Sequence, residues 1–273
     1  MTRILINISN ISLSCTTTEN NAGSIIAFLG GAPKIHNFSS LAQIEMNKFL
    51  VKYPSILRRL YPRRWTKMEM QKSIYLTFDD GPITEVTPWV LDLLKEYNAH
   101  ATFFCIGDNV QKHPEIFRRI LSEGHSIGNH AFNHLDGWKT ATSAYIENVS
   151  KAEEAINSEE KEGKREREKE DHRTTNNKLR TTKLFRPPYG RIKNSQARKL
   201  ANIGYQLVMW DVISYDFDEN LSEEECLQNV LENAEQGSII VFHDSRKAFI
   251  NLEKVLPQVL EYYKNKNFSF KKL

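Results

Sequence analysis

The run "YLTFDDGP" ends an apolar stretch on two adjacent carboxylates, Asp79 and Asp80. In a regular strand, neighbouring side chains point to opposite faces. Gly81 and Pro82 follow at once. Gly can adopt φ > 0 and Pro fixes the next φ, so the chain turns there and both carboxylates can reach one place. Further on, "HAFNH" sets His130 and His134 four apart, on one helix face or converging in a tight turn. In either geometry both rings can reach one metal ion. No Glu follows His130, so this is not the HExxH pattern of metalloproteases. A third, anionic ligand is needed, and Asp80 or Asp79 fits. Two His and one carboxylate leave open positions for water, as a catalytic site requires. Such donors suit one divalent ion, zinc first, and accommodate cobalt, nickel or iron.

More polar residues follow apolar runs elsewhere. Arg186 opens "RPPYG", whose prolines predict a stiff, extended loop that holds the guanidinium and the backbone N–H of Tyr189. Asp211 and Asp216 follow "YQLVMW", and His243 and Asp244 follow "SIIVF". The elements that must position these groups are short strands at 74–79, 101–105, 125–129, 184–186, 205–211 and 238–243. Helical patterns alternate with them. One opens with Thr87 as N-cap and Pro88 at the first helical position; another ends with Gly124 as C-cap; Asp108 reads as a further N-cap. This alternation predicts an α/β fold: a distorted (β/α) barrel with seven or eight mostly parallel strands and helices outside. In such a barrel the carboxyl ends of all strands share one rim, where active sites are built. An Asp after a strand is ordinarily a turn residue, and a lone His is ordinarily structural. Five such groups on one rim are not explained that way.

Composition removes other classes. The net charge is only +3, too small to argue for nucleic acid, and no basic patch is interleaved with aromatics. Three cysteines, Cys15, Cys105 and Cys226, are too few and scattered for a disulfide framework or a Cys zinc cluster. No run approaches the roughly 20 apolar residues of a membrane span. The start "MTRILINISNISLSC" is a poor signal peptide, interrupted by Asn7, Ser9, Asn10 and Ser12. Residues 1–65 read as an N-terminal extension, partly irregular, with Met46 as a candidate natural start. Residues 66–273 read as the functional domain. Within it, 157–183 is almost devoid of apolar residues and predicts a charged insertion that extends a helix and then becomes a mobile loop, with His172 idle in solvent.

Taken in order, these pieces resemble the polysaccharide deacetylases of carbohydrate esterase family 4, the nodulation-type chitooligosaccharide deacetylase domain. "TFDDGP" (77–82) and "RPPYG" (186–190) match the first and third family motifs in full. "HAFNH" (130–134) matches the second, with Ala131 where the family has a hydroxyl residue. "ISYDF" (213–217) corresponds to the fourth, with Ile213 for Asp and Phe217 for Trp, and "VFHD" (241–244) to the fifth, with Val241 for Leu. The resemblance implies Asp79 as catalytic base, Asp80, His130 and His134 as metal ligands, and Arg186 as the group that keeps Asp79 ionised and aimed. It implies His243 as general acid, oriented by Asp216. The backbone N–H of Tyr189 would serve the oxyanion, and Phe217 and Val241 would line the acetyl pocket.

The activity so implied is metal-dependent removal of acetyl groups from the N-acetylated sugars of a polysaccharide or oligosaccharide, peptidoglycan or chitin-like. Two rivals remain at this level: an O-acetyl esterase on xylan-like polymers and a non-catalytic carbohydrate-binding relic. The intact acid–base residues argue against the relic. Family habit places such enzymes outside the cytoplasm, whereas the poor leader points inside. Trp89 reads as a packing or rim residue, Trp210 and Met209 as core or its border, Trp138 as rim with a lesser chance of sugar stacking, and Asp211 and Asp244 as supports.

Overall fold

The computed structural model describes residues 3–7, 12–16, 51–170 and 183–273. The chain divides into two compact units, Met1–Met46 and Asn47–Leu273. In the first, β1 (Arg3–Asn7) pairs antiparallel with β2 (Ser12–Thr16). The expectations for Met46 and for a mobile loop beyond residue 170 lie outside the described residues.

The second unit is a curled parallel sheet wrapped by helices. Its strands are β3 (Ser73–Asp79), β4 (Thr102–Cys105), β5 (Ser126–Asn129), β6 (Lys183–Phe185), β7 (Tyr205–Leu207), β8 (Val212–Ile213) and β9 (Ile239–His243), in the order β7-β6-β5-β4-β3-β9-β8. A short β10 (Ser269–Phe270) pairs with the start of β3. The helices are α1 (Ser55–Leu60), α2 (Thr87–Glu96), α3 (Gly107–Lys112), α4 (Pro114–Ser122), α5 (Thr142–Glu170), α6 (Asn194–Asn202), α7 (Glu223–Asn233) and α8 (Arg246–Asn265).

Both faces of this sheet are buried, which is why its strands read as nearly continuous apolar runs. On β3 the two faces separate by the period of two. Ile74, Leu76 and Phe78 join the core under the helices, where Phe78 stacks on Phe103 at 5.1 Å and on Phe242 at 6.1 Å. Tyr75 belongs to a second cluster with Phe104, Leu184, Val208 and Ile239 that fills the barrel interior. Thr77 and Asp79 continue that inward row towards the carboxyl rim. Burying each large apolar side chain contributes about 1.5–3 kcal/mol.

The predicted strand 205–211 is a strand only as far as Leu207, and the next strand, β8, begins at Val212 on the opposite edge of the sheet. The break at Met209–Asp211 is where the chain crosses the barrel's open seam, and an earlier segment fills that seam. Trp65 bridges to Val208 and Lys52 to Val212. Tyr53 donates its N–H to Asp211 O at 2.9 Å, and Met209 donates to Trp65 O at 2.7 Å. Residues 51–65, expected as part of an extension, therefore join the barrel's two edges.

Three local expectations fail for identifiable reasons. Thr87 is not an N-cap: its hydroxyl accepts from Ile83 N–H and donates to Asp244 Oδ2 at 2.6 Å. Asp108 lies inside the first turn of α3 and pairs with Lys112. "RPPYG" is not extended, since Pro188–Gly190 forms a 3-10 turn with Tyr189 at φ 58°. The Gly124 expectation fits, because the residue takes φ 85° just past α4. Helix α5 runs into the charged segment as far as Glu170, and Glu159 pairs there with Arg118 of α4 at 2.7 Å.

Candidate active site

Asp79 ends β3 opposite His243, the end of β9, so the two side chains share the inner face of the rim. Asp80 takes φ 86°, a left-handed conformation that non-Gly residues rarely adopt. This turn swings the second carboxylate towards the histidines. The positive φ expected of Gly81 thus falls one residue earlier. Gly81 is needed for space instead, because a Cβ there would stand 1.9 Å from Asp244 Oδ2. Its N–H donates to Asp244 Oδ1 at 2.9 Å, and with Thr87 this secures the turn. Burial, against those hydrogen bonds, pushes the Asp244 carboxyl up to about 8.

His130 and His134 occupy a tight turn rather than a helix, with Ala131 at φ 63° and His134 at φ 54°. His130 is buried, and its Nδ1 lies 2.8 Å from Arg186 O. A carbonyl only accepts, so Nδ1 carries a proton and Nε2 is the ring nitrogen turned to Asp80. That Nε2 is 3.7 Å from Asp80 Oδ1, and His134 Nε2 is 3.3 Å from the same oxygen. Donor atoms of Asp80, His130 and His134 all lie within 4.8 Å of one another. Asp80 Oδ1 is buried and has no hydrogen-bond partner, a costly state for a carboxylate oxygen. Burial, aided by His130, lowers the His134 pKa to about 4, so its ring is neutral at ordinary pH. Two converging imidazole nitrogens, a carboxylate and its orphaned oxygen together fit a divalent cation.

Asp79 has different company. Burial is the largest influence and raises its pKa, but Arg186, His130 and His243 together outweigh it, and the carboxyl ends below the usual carboxylate range. The Arg186 Nη1 donates to Asp79 Oδ1 at 2.7 Å and to Thr77 Oγ1 at 2.8 Å, and Nη2 donates to Met209 O. The guanidinium carbon lies 4.1 Å from the centre of the Phe104 ring. Phe104 fits there because Gly128, its neighbour on β5, has no Cβ; one would stand 2.3 Å from that ring.

His243 faces the opposite way chemically. Its Nδ1 donates to Asp216 Oδ1 at 2.8 Å and its N–H to Asp216 Oδ2 at 2.7 Å. Asp216 is buried and also accepts from Ser214 Oγ at 3.0 Å. Burial is the largest influence and would lower the His243 pKa, but Asp216, joined by Asp80 and Asp79, outweighs it and the value rises to about 9. Phe217 packs edge-on against the imidazole at 4.8 Å. Val241 is buried on β9, in register with Thr77 and one step below His243. Tyr189 places its ring 4.5 Å from that of His134.

The polysaccharide deacetylase family model matches residues 66–208. The chain belongs to the polysaccharide deacetylase family. A peptidoglycan-N-acetylglucosamine deacetylase of Bacillus cereus is 36% identical over 200 residues, covering 71% of this chain and 85% of that one. A chitooligosaccharide deacetylase of Azorhizobium caulinodans is 35% identical over 178 residues, 64% of this chain and 74% of that one. A crystal structure of a peptidoglycan N-acetylglucosamine deacetylase superposes with a TM-score of 0.68 at 31% identity, covering 81% of this chain and 94% of that one.

Within this polysaccharide deacetylase domain, several partners were not legible from residue type. Asn129 Oδ1 accepts the N–H of Ala131 at 2.8 Å. Asn148 Oδ1 accepts the N–H groups of Phe132 at 2.8 Å and Asn133 at 3.1 Å. These two amides hold the histidine loop, in which Ala131 is buried. An Asn inside a helix pattern carries no signal of such a task. Thr77 was readable in principle, since it lies two before Asp79 on the same face. Asp211 stands apart from the cluster: it accepts from Arg58 at 2.7 Å and from Ser238 at 2.5 Å. Trp89 packs edge-on against Phe249 at 5.3 Å, and Met209 is buried. No helix of the described residues is long and apolar enough to cross a membrane.

Proposed function

We propose that this chain is a metal-dependent hydrolase that removes acetyl groups from N-acetylated glucosamine units of a polysaccharide, peptidoglycan or chitin-like. The observation that carries this is the division of labour between two adjacent aspartates. Asp80 faces two histidines with an orphaned oxygen, whereas Asp79 is held by a buried arginine. The names of the B. cereus and A. caulinodans relatives support the substrate class.

Asp80, His130 and His134 would hold one divalent ion, with zinc the best match to these donors. Such an ion supplies a water of lowered pKa and a Lewis acid for the carbonyl oxygen. Asp79 accepts the proton of the attacking water. Arg186 keeps it ionised for that step and fixes its direction, and Thr77 and Met209 O hold Arg186 in turn. The backbone N–H of Tyr189, set by its left-handed turn, donates to the developing oxyanion. His243, protonated and anchored through Nδ1 by Asp216, releases its Nε2 proton to the departing amine. Phe217 and Val241 enclose the acetyl methyl. A pure binding module needs no such base and acid with opposed pKa shifts.

Acetate release from N-acetylglucosamine oligomers, measured before and after chelation, tests this. Activity is expected to disappear with chelator and return with zinc. Acetate release that chelation leaves untouched would overturn the metal role, and none from any N-acetylated oligomer the activity.

A further inference from the structure

A row of side chains leads away from the metal-ligand cluster, from His134 and Tyr189 within the motifs to Arg191 and Trp138 outside them. It begins at His134, against which the Tyr189 ring rests. The Arg191 guanidinium carbon lies 5.8 Å from the centre of the Tyr189 ring and 5.2 Å from that of Trp138. Aromatic, cation and aromatic thus follow one another outward. Tyr189 is 60% exposed although it touches a candidate metal ligand, and Trp138 is half-buried.

The row is fixed in advance by a latch between two distant stretches. Asp136 Oδ2 accepts from Arg191 at 2.8 Å, and its Oδ1 accepts the Trp138 backbone N–H at 2.9 Å. Gly137 lets the stretches touch, because a Cβ there would stand 2.4 Å from Arg191 O. The buried Gln196 donates to Gly137 O at 2.8 Å, and Lys193 Nζ donates to Thr140 O at 2.8 Å. Rigid aromatic faces bind with little loss of side-chain freedom. Such faces match the C–H faces of pyranose rings, and guanidinium N–H groups match their hydroxyl and ring oxygens. Asp136 already balances the Arg191 charge, which favours a neutral, hydroxyl-rich ligand over an anionic one.

We propose that Trp138, Arg191 and the side chain of Tyr189 form a subsite for the sugar next to the one that loses its acetyl group, so that the enzyme acts on chains rather than on single sugars. This rests on the deacetylase reading above. The subsite lies on the His134 side of the reacting unit, away from His243 and Phe217, and so also sets the direction in which the polymer crosses the rim.

The test compares kcat/KM on N-acetylglucosamine monomer and tetramer for the wild type, Trp138→Ala, Trp138→Leu and Trp138→Phe. Trp138→Leu keeps apolar bulk but no flat face, and serves if Trp138→Ala fails to fold. Loss of one aromatic face is expected to lower tetramer kcat/KM about tenfold, chiefly through KM, with less than about twofold change on the monomer. Trp138→Phe is expected to restore most of the loss. An equal loss at both lengths, or no loss, would overturn the subsite. Calorimetric binding of the tetramer to Asp79→Asn, with and without Trp138→Ala, separates this from the parent reading. If the wild type releases no acetate yet Trp138→Ala still weakens tetramer binding, the deacetylase reading fails and the subsite stands. If binding ignores Trp138, the subsite fails whatever the activity.

Discussion

Asp79 and Asp80 are the same side chain one residue apart, and their surroundings differ in the way the proposed division of tasks requires. Asp79 contacts a guanidinium that is buried from water, so its charge is stabilised where burial alone would neutralise it. Asp80 points at the Nε2 atoms of two imidazoles, at 3.7 Å and 3.3 Å. Asp80→Ala is therefore expected to abolish stoichiometric zinc in metal analysis. Asp79→Asn should retain the metal while kcat falls by about 10²–10⁴-fold. Equal metal loss in both would refute the separation. The pH profile follows from the same residues. The base must be ionised, so activity is lost as pH falls through the Asp79 value, below the ordinary carboxylate range. The acid must be protonated, so activity is lost as pH rises through the His243 value. That value is about 9 without metal, and a bound dication repels the imidazolium and moves the limb lower. Asp216→Asn should move the alkaline limb lower still; an unmoved limb in the kcat/KM profile would show that Asp216 does not set it.

At the scale of elements, the histidine turn depends on a helix that supplies no ligand. Asn148 on α5 accepts two backbone N–H groups of the turn, and Asn129 at the end of β5 accepts a third. Residues with left-handed φ need such support to persist. Asn148→Ala is expected to weaken zinc affinity about tenfold, as loss of a group that orients metal ligands does. Asn148→Asp, which keeps an acceptor, should recover much of it. Competition titration with a chromogenic chelator reads both, and unchanged affinity in Asn148→Ala would contradict the clamp. The β3 turn shows the same economy: Asp244 and Thr87, from different elements, secure Gly81 without touching the reacting groups. The sequence pattern offered Thr87 as a cap, because a Thr before a Pro reads locally. The hydroxyl's real partner lies 157 positions away.

At the scale of the molecule, the seam between β7 and β8 is joined by residues that precede the first long strand. Asp211 anchors this segment through Arg58 and also holds Ser238. Asp211→Ala removes the acceptor of the buried Ser238 hydroxyl and releases the part-exposed Arg58, and is expected to cost about 1–3 kcal/mol, which lowers Tm by a few degrees. The kcat of the folded variant should stay near wild type, since Asp211 touches none of the reacting groups. A normal Tm with lost turnover would instead place Asp211 in the chemistry.

The chain's order of short apolar runs and amphipathic helices determined the parallel barrel, because both patterns follow from burial on one or two faces. The residue types at strand ends determined which groups gather on the rim, since parallel strands bring their carboxyl ends together. Only the tertiary structure decided which Asp meets the histidines and which meets Arg186, through the left-handed turn at Asp80 and the inward row of β3. It alone decided that Asn129 and Asn148 support the ligand turn and that "YQLVMWD" breaks across the seam. The pairing of Asp79 with Arg186 joins residues 107 apart and the Asn148 contacts residues 15 and 16 apart, whereas periodicity registers which face a residue occupies and not its partner.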